Sequence, residues 1–156
     1  MTQDATFEDG RETPLNLSAQ DDDDLQVIAA LTQDSVFPMT EMRWLPQQRR
    51  FALLLNRFRW EDDTRARHAP ERVQSILVVD NVLQVASQGI DRQAADMILS
   101  LLSLTFEPGD DGAGELLLTL AGDGAIRLST EALDVTLKDV TRPYRAPSGK
   151  VPEHPV

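Results

Sequence analysis

The stretch Glu131–Val140, EALDVTLKDV, decides the architecture of this chain because it fits two periods at once. Leu133, Val135 and Leu137 alternate with Asp134, Thr136 and Lys138, which is the two-residue period of a half-buried strand. Leu133, Leu137 and Val140 also share a helical stripe. Valine and threonine lose side-chain freedom in a helix, so the strand is favoured. Read that way, the chain is an α+β, mostly antiparallel protein: a single β barrel or sandwich of about eight strands with one N-terminal helix. A helix at this place would instead leave a seven-stranded barrel closed by a C-terminal helix.

The elements before it follow from period and punctuation. GELLLTLA and AIRLS flank Gly122, Asp123 and Gly124, the clearest tight-hairpin signal in the chain. EPGDDGAG is a loop by composition, Ile98–Phe106 a strand, and GIDRQAAD a loop with one helical turn. Arg72–Val79 and Val82–Ser87 suggest a hairpin turning at Asp80 and Asn81, residues that tolerate left-handed backbone. VFPMTEMRWL and RRFALLLNRFRWE flank Pro46, Gln47 and Gln48 and suit another hairpin, followed by a charged loop from Glu61 to Pro70. In AQDDDDLQVIAALTQD, Leu25, Ile28, Ala29 and Leu31 share one helical face with Val27 beside it. Asp21–Asp24 explain its start: one aspartate caps free backbone N–H groups and the others favour the positive end of the helix dipole. Leu15 and Leu17 alternate with polar neighbours as a short strand. Residues 1–14 are expected to form a disordered arm, 15–141 one β-rich domain, and 142–156 a proline-rich flexible tail. The helical alternative for Glu131–Val140 is the arrangement of pleckstrin-homology-like domains.

Composition bounds the function. The chain has 156 residues, a net charge of -11 and no cysteine, which excludes thiol catalysis, thiolate metal sites and disulfides. No apolar run is long enough for a membrane-spanning helix, and MTQDATFEDGRET lacks the basic head and apolar stretch of a secretory leader. The expected location is the cytoplasm. Nine acids and one base precede Ser35, whereas Arg43–Arg72 holds eight arginines and four acids. A net-negative chain repels nucleic-acid phosphates and anionic lipid surfaces, so neither nucleic acid nor membrane is an expected partner.

Taken together, LNLSAQDDDDLQVIAALTQD, RRFALLLNRFRWE, RVQSILVVDNVLQVASQGIDR, FEPG, AIRL and LKDVTRPY resemble a family of small uncharacterised alphaproteobacterial proteins, a domain of unknown function. The resemblance spans about Leu15 to His154. It implies a bacterial cytosolic protein and supplies no catalytic residues.

Chemistry-bearing motifs are few. The sequence has no phosphate-binding glycine loop, dinucleotide fingerprint or nucleophile elbow. His68 lies in a charged loop and His154 near the end, so neither has the rigid support that a metal site or triad needs. Asp110, Asp111 and Glu115 lack the alternating pattern of a calcium loop and read as a solvated turn. No catalytic residue, metal or cofactor is assigned. The candidate anion- or partner-binding residues are Arg57 and Arg59, two apart on a strand, with Arg49 in support near the turn. Paired guanidinium groups beside Trp44 and Trp60 suit a carboxylate, a phosphate or a protein hot spot. In the competing reading the arginines pair with neighbouring acids and the tryptophans fill the core. The expected function is a non-enzymatic binding or assembly module for a protein partner or small anionic ligand. The alternative is a ligand-binding or enzymatic barrel with an enclosed pocket whose charged groups include Arg57, Arg59 and Asp91.

Overall fold

The computed structural model describes residues 14–62, 71–91, 93–94 and 96–145. The expected N-terminal arm up to residue 13, the centre of the charged loop after Asp62, and the tail from residue 146, with both histidines, lie outside the described residues.

The stretch that decides the architecture is a strand. Among the described residues the chain forms strands β1 (Asn16–Ala19), β2 (Val36–Pro38), β3 (Met42–Leu45), β4 (Arg50–Phe58), β5 (Glu71–Val79), β6 (Val82–Gln88), β7 (Ile98–Pro108), β8 (Gly114–Leu120), β9 (Ala125–Thr130), β10 (Val135–Asp139) and β11 (Tyr144–Arg145). One α-helix, α1, spans Asp22–Thr32. Val135, Leu137 and Asp139 of β10 are buried while Thr136 and Lys138 are not, and β10 pairs with β1 on one side and β5 on the other. The helical alternative for Glu131–Val140 is therefore ruled out.

All strand pairs are antiparallel, in the order β1-β10-β5-β4-β2-β7-β8-β9-β6, with β3 added to β4 and β11 to β5. The 11 strands exceed the expected number of about eight: VFPMTEMRWL is broken by a 3-10 turn at Met39–Glu41, Tyr144 and Arg145 pair with Arg72 and Glu71, and the short segment around Leu17 adds β1. The sheet curls around a core of Phe37, Leu53, Leu55, Leu77, Leu116 and Leu137. It does not close, since its terminal strands β1 and β6 do not pair with each other.

The second expected hairpin is also corrected. Val79 of β5 pairs with both Phe51 and Val135, so β5 has no free edge to offer the strand that follows it. Asp80 and Asn81, the latter with φ 61, instead carry the chain away to β9, where Val85 lies opposite Leu128. By contrast, β3–β4 and β8–β9 are hairpins at the expected turns. In and just after GIDRQAAD, the Ala94 N–H donates to the Asp91 carbonyl and the Met97 N–H to the Ala94 carbonyl. Helix α1 begins as expected: Asp21 caps it by accepting from the Asp24 N–H at 2.8 Å, and Leu25 and Ile28 are buried.

Candidate functional site

Strand parity decides the fate of the two central arginines. Phe51, Leu53, Leu55 and Arg57 occupy alternate positions of β4 and are all buried, so Arg57 ends the core-facing row. Its side chain has no solvent exposure. Nη1 and Nη2 donate to the two carboxylate oxygens of Glu61 at 2.9 Å each, and Nη2 also donates to Asp139 at 2.9 and 3.1 Å. Nε donates to the Ser75 hydroxyl at 2.9 Å, and that hydroxyl donates to Asp139 at 2.6 Å. Asp139 further accepts from the Leu15 N–H at 2.9 Å. Burial pushes the Arg57 pKa down, but Glu61 and Asp139 outweigh it and the net shift is upward. The group is a cation with every nitrogen engaged inside the protein.

Arg59, just beyond β4, is also buried, donating to Glu71 at 2.8 Å with Asp62 and Glu61 at 3.7 Å. Arg49 belongs to neither group. It sits in the β3–β4 turn with φ 53, exposed and paired with exposed Glu131 at 2.8 Å. The intervening strand puts it about 27 Å from Arg57 at the usual rise of an extended chain. The structure thus brings Arg57 and Arg59 together as an internal ion-pair network and does not present them with Arg49 as an exposed anion site. Trp60 likewise is engaged, donating from Nε1 to the Gln33 carbonyl at 3.0 Å and packing edge-on to Phe58.

An opening lies at the other end of β4. Val36 pairs with both Asn56 of β4 and Ser100 of β7, joining the two halves of the sheet. The turn at Met39–Glu41 then sends β3 along β4 and away from β7. Across the resulting gap stands β6, whose strand partner is β9. Between β3 and β6 is an open cleft of about 350 Å³ lined by Met39, Met42, Trp44, Phe51, Val85, Ser87, Ile90 and Ile126. This volume lies near the lower end of ligand and anchor pockets. Gly89 shapes one wall: with φ 70 it turns the chain out of β6, and a Cβ there would stand 2.8 Å from the Asp123 carbonyl oxygen.

The edge of β6 beside the cleft is unusual in its chemistry. Its sequence, VLQVASQ, contains no charge and no proline over 7 residues, and Leu83 is half exposed. Edge strands are ordinarily protected by charges, proline or brevity. The opposite terminal strand, β1, has 4 residues and runs into Asp21–Asp24, and β3 has 4 residues with exposed Arg43.

A wider hollow, of about 640 Å³, is lined in part by Asp21, Asp22, Asn81, Phe106, Leu133 and Asp134. Asp21 is committed to capping α1. Among the described residues no three His, Asp or Glu side chains are grouped to hold a metal ion. No helix among them is long and apolar enough to cross a membrane.

A family profile described as "Protein of unknown function (DUF2948)" matches residues 15–154. The chain belongs to this family. Comparisons with curated proteins and with solved structures returned no match. The family places no residue in a role, so the functional reading rests on the cleft.

Sequence reasoning missed this cleft because its walls come from four separate segments, Met39–Trp44, Phe51, Val85–Ile90 and Ile126. A signal was nonetheless present: among the described residues VLQVASQ is the one long strand that includes no charge, and MTEMRW supplies two methionines and a tryptophan before it. Methionine and aromatic side chains adapt to varied apolar partners.

Proposed function

We propose that this protein is a non-enzymatic binding module whose site is the β3–β6 cleft, and that it captures an extended segment of a protein partner by strand addition. The observation that supports this most is the uncharged strand β6, whose one strand partner among the described residues is β9, lying directly beside an apolar cleft. Backbone N–H and C=O groups on a free edge provide the affinity in strand addition, and pockets for alternate side chains provide the specificity. Val85 and Ser87 point into the cleft from alternate positions, opposite Met42 and Trp44. A strand entering here would lie in the gap between β3 and β6. The arginine network holds the far end of the sheet rigid and is not itself the binding surface. The alternative of an enclosed pocket charged by Arg57 and Arg59 has little support, because both are saturated by internal acids.

The test is selection of a random dodecapeptide library on the wild-type protein and on the Val85→Phe variant, which fills the cleft from β6. Peptides should be enriched on the wild type alone, and in complex they should slow amide exchange at alternate residues of Val82–Gln88. Enrichment that is equal on both proteins, or none at all, refutes strand addition at this site.

A further inference from the structure

Antiparallel sheets ordinarily turn a polar face to water, but the outward face of β4 and β5 is apolar at its centre. Leu54 lies opposite Ile76 and Ala52 opposite Val78, so these four side chains form one block on the side away from the core. All four are partly exposed, and none belongs to the core or packs against it. Helix α1 packs on the inner side, with Leu25 and Ile28 in the core.

Basic residues flank the block on both sides. Arg43 of β3 stands beside Ala52, and Lys138 of β10 stands beside Ile76. Both are exposed, and neither forms an ion pair among the described residues. The outward strand positions of β1, β3, β4, β5 and β10 also hold Arg50, paired with Asp80, and Arg72, and they hold no acid. In a chain of net charge -11, this concentration of positive charge suits a partner of opposite sign.

We propose that this face is a second docking surface, independent of the cleft, and that it takes an acidic amphipathic helix of a protein partner. The block lies inside the sheet, with Ile76 and Val78 between β4 and β10 and Ala52 between β3 and β5. An occupant therefore binds through side chains and must satisfy its own backbone groups, as a helix does and a single extended segment does not. The width agrees. Arg43 and Lys138 stand three strands apart, about 14 Å at the usual strand spacing, and a helix is about 10–12 Å across. A helix with its apolar stripe on the block and carboxylates along both flanks meets one cation on each side. An anionic membrane fits less well, because so broad a surface meets the charge of the whole molecule, -11, and not of this face alone.

The probes are three labelled synthetic peptides of about five helical turns. One has a leucine stripe at helical spacing flanked by glutamates, the second has lysines in place of the glutamates, and the third is a scramble of the first without a stripe. Binding to the full chain is read by fluorescence anisotropy and its place by methyl NMR. The acidic striped peptide should bind about tenfold more tightly than either control, shifting the methyl resonances of Leu54, Ile76 and Val78 and leaving those of Val85 in place. The Arg43→Gln, Lys138→Gln double variant should weaken it about tenfold, as expected for two exposed ion pairs. Raised sodium chloride should weaken it too, whereas Val85→Phe should leave it unchanged. No binding by any peptide, equal binding by all three, or tighter binding of the lysine peptide overturns the proposal. So does acidic-peptide binding that ignores the double variant, since the site then lies elsewhere. Co-sedimentation with phosphatidylserine vesicles that depends on Arg43 and Lys138, with no peptide bound, would assign the face to a membrane instead. Acidic-peptide binding that requires replacement of Asp4, Glu8, Asp9 and Glu12 by their amides would assign it to the chain's own first residues.

Discussion

Replacing Arg57 by alanine should be among the most damaging single changes in the molecule. The guanidinium is fully buried and ties Glu61 to Asp139, whose side chain is only 4% exposed. Without it the Asp139 carboxylate keeps the Ser75 hydroxyl and the Leu15 N–H but faces no cation. Removing one member of such a pair costs about 3–5 kcal/mol, because the remaining charge stays buried. For a chain of this length that corresponds to a fall in Tm of about 6–20 °C. Urea denaturation supplies the free energy and calorimetry the Tm. Arg49→Ala, which breaks an exposed pair, should cost less than about 1 kcal/mol in the same assays. A double-mutant cycle of Arg57→Ala with Asp139→Ala should show strong coupling, since removing both partners leaves less charge stranded than removing one. Because the folded Arg57 pKa is raised, its contribution is complete below the ordinary arginine value and is lost only as pH rises through the folded one. The difference between wild type and Arg57→Ala arising from arginine ionisation should thus be constant from roughly pH 6 to pH 10. An Arg57→Ala cost below about 1 kcal/mol, or no coupling to Asp139, would refute the assignment of a structural ion pair.

Asp21→Ala should lose about 1 kcal/mol through the α1 cap, whereas Asp23→Ala should lose less, as measured by chemical denaturation. Gly89→Ala should destabilise by more than about 1 kcal/mol, because the left-handed backbone and the Asp123 carbonyl both oppose a Cβ; a neutral result would mean that the β6 exit is pliable. Val85→Phe should leave Tm equal or higher while abolishing capture of library peptides, a pairing that separates blocked binding from unfolding.

Much of the fold was legible because local rules and tertiary structure agree. The helix start, the Gly122–Gly124 turn and the alternation in Val135–Asp139 each follow from two or three neighbouring residues. The Asp80–Asn81 turn was legible as a turn but not as a crossing, since that depends on β5 already having β4 and β10 on its two edges. The arginines show the same limit. Arg57 has the parity of Phe51, Leu53 and Leu55, yet Ala52, Leu54 and Phe58 make the other face apolar too, so parity alone does not choose a side. What chooses is Asp139, 82 residues away. The cleft is still less visible, being defined by a strand pairing that does not form.

Asp139 also has a consequence for the order in which the protein assembles. A single carboxylate accepts from Leu15, Arg57 and Ser75, so the first strand, the middle of the chain and its last long strand meet at one point across a separation of 124 residues. Closing loops of that length is slow, and the contact cannot form on a ribosome until β10 has emerged. Until then Arg57 has Glu61 but not its buried partner Asp139, which disfavours early packing of the end of β4. Chains cut short before Asp139 should accordingly fail to accumulate as a compact species, and the completed chain should fold in one late, cooperative step.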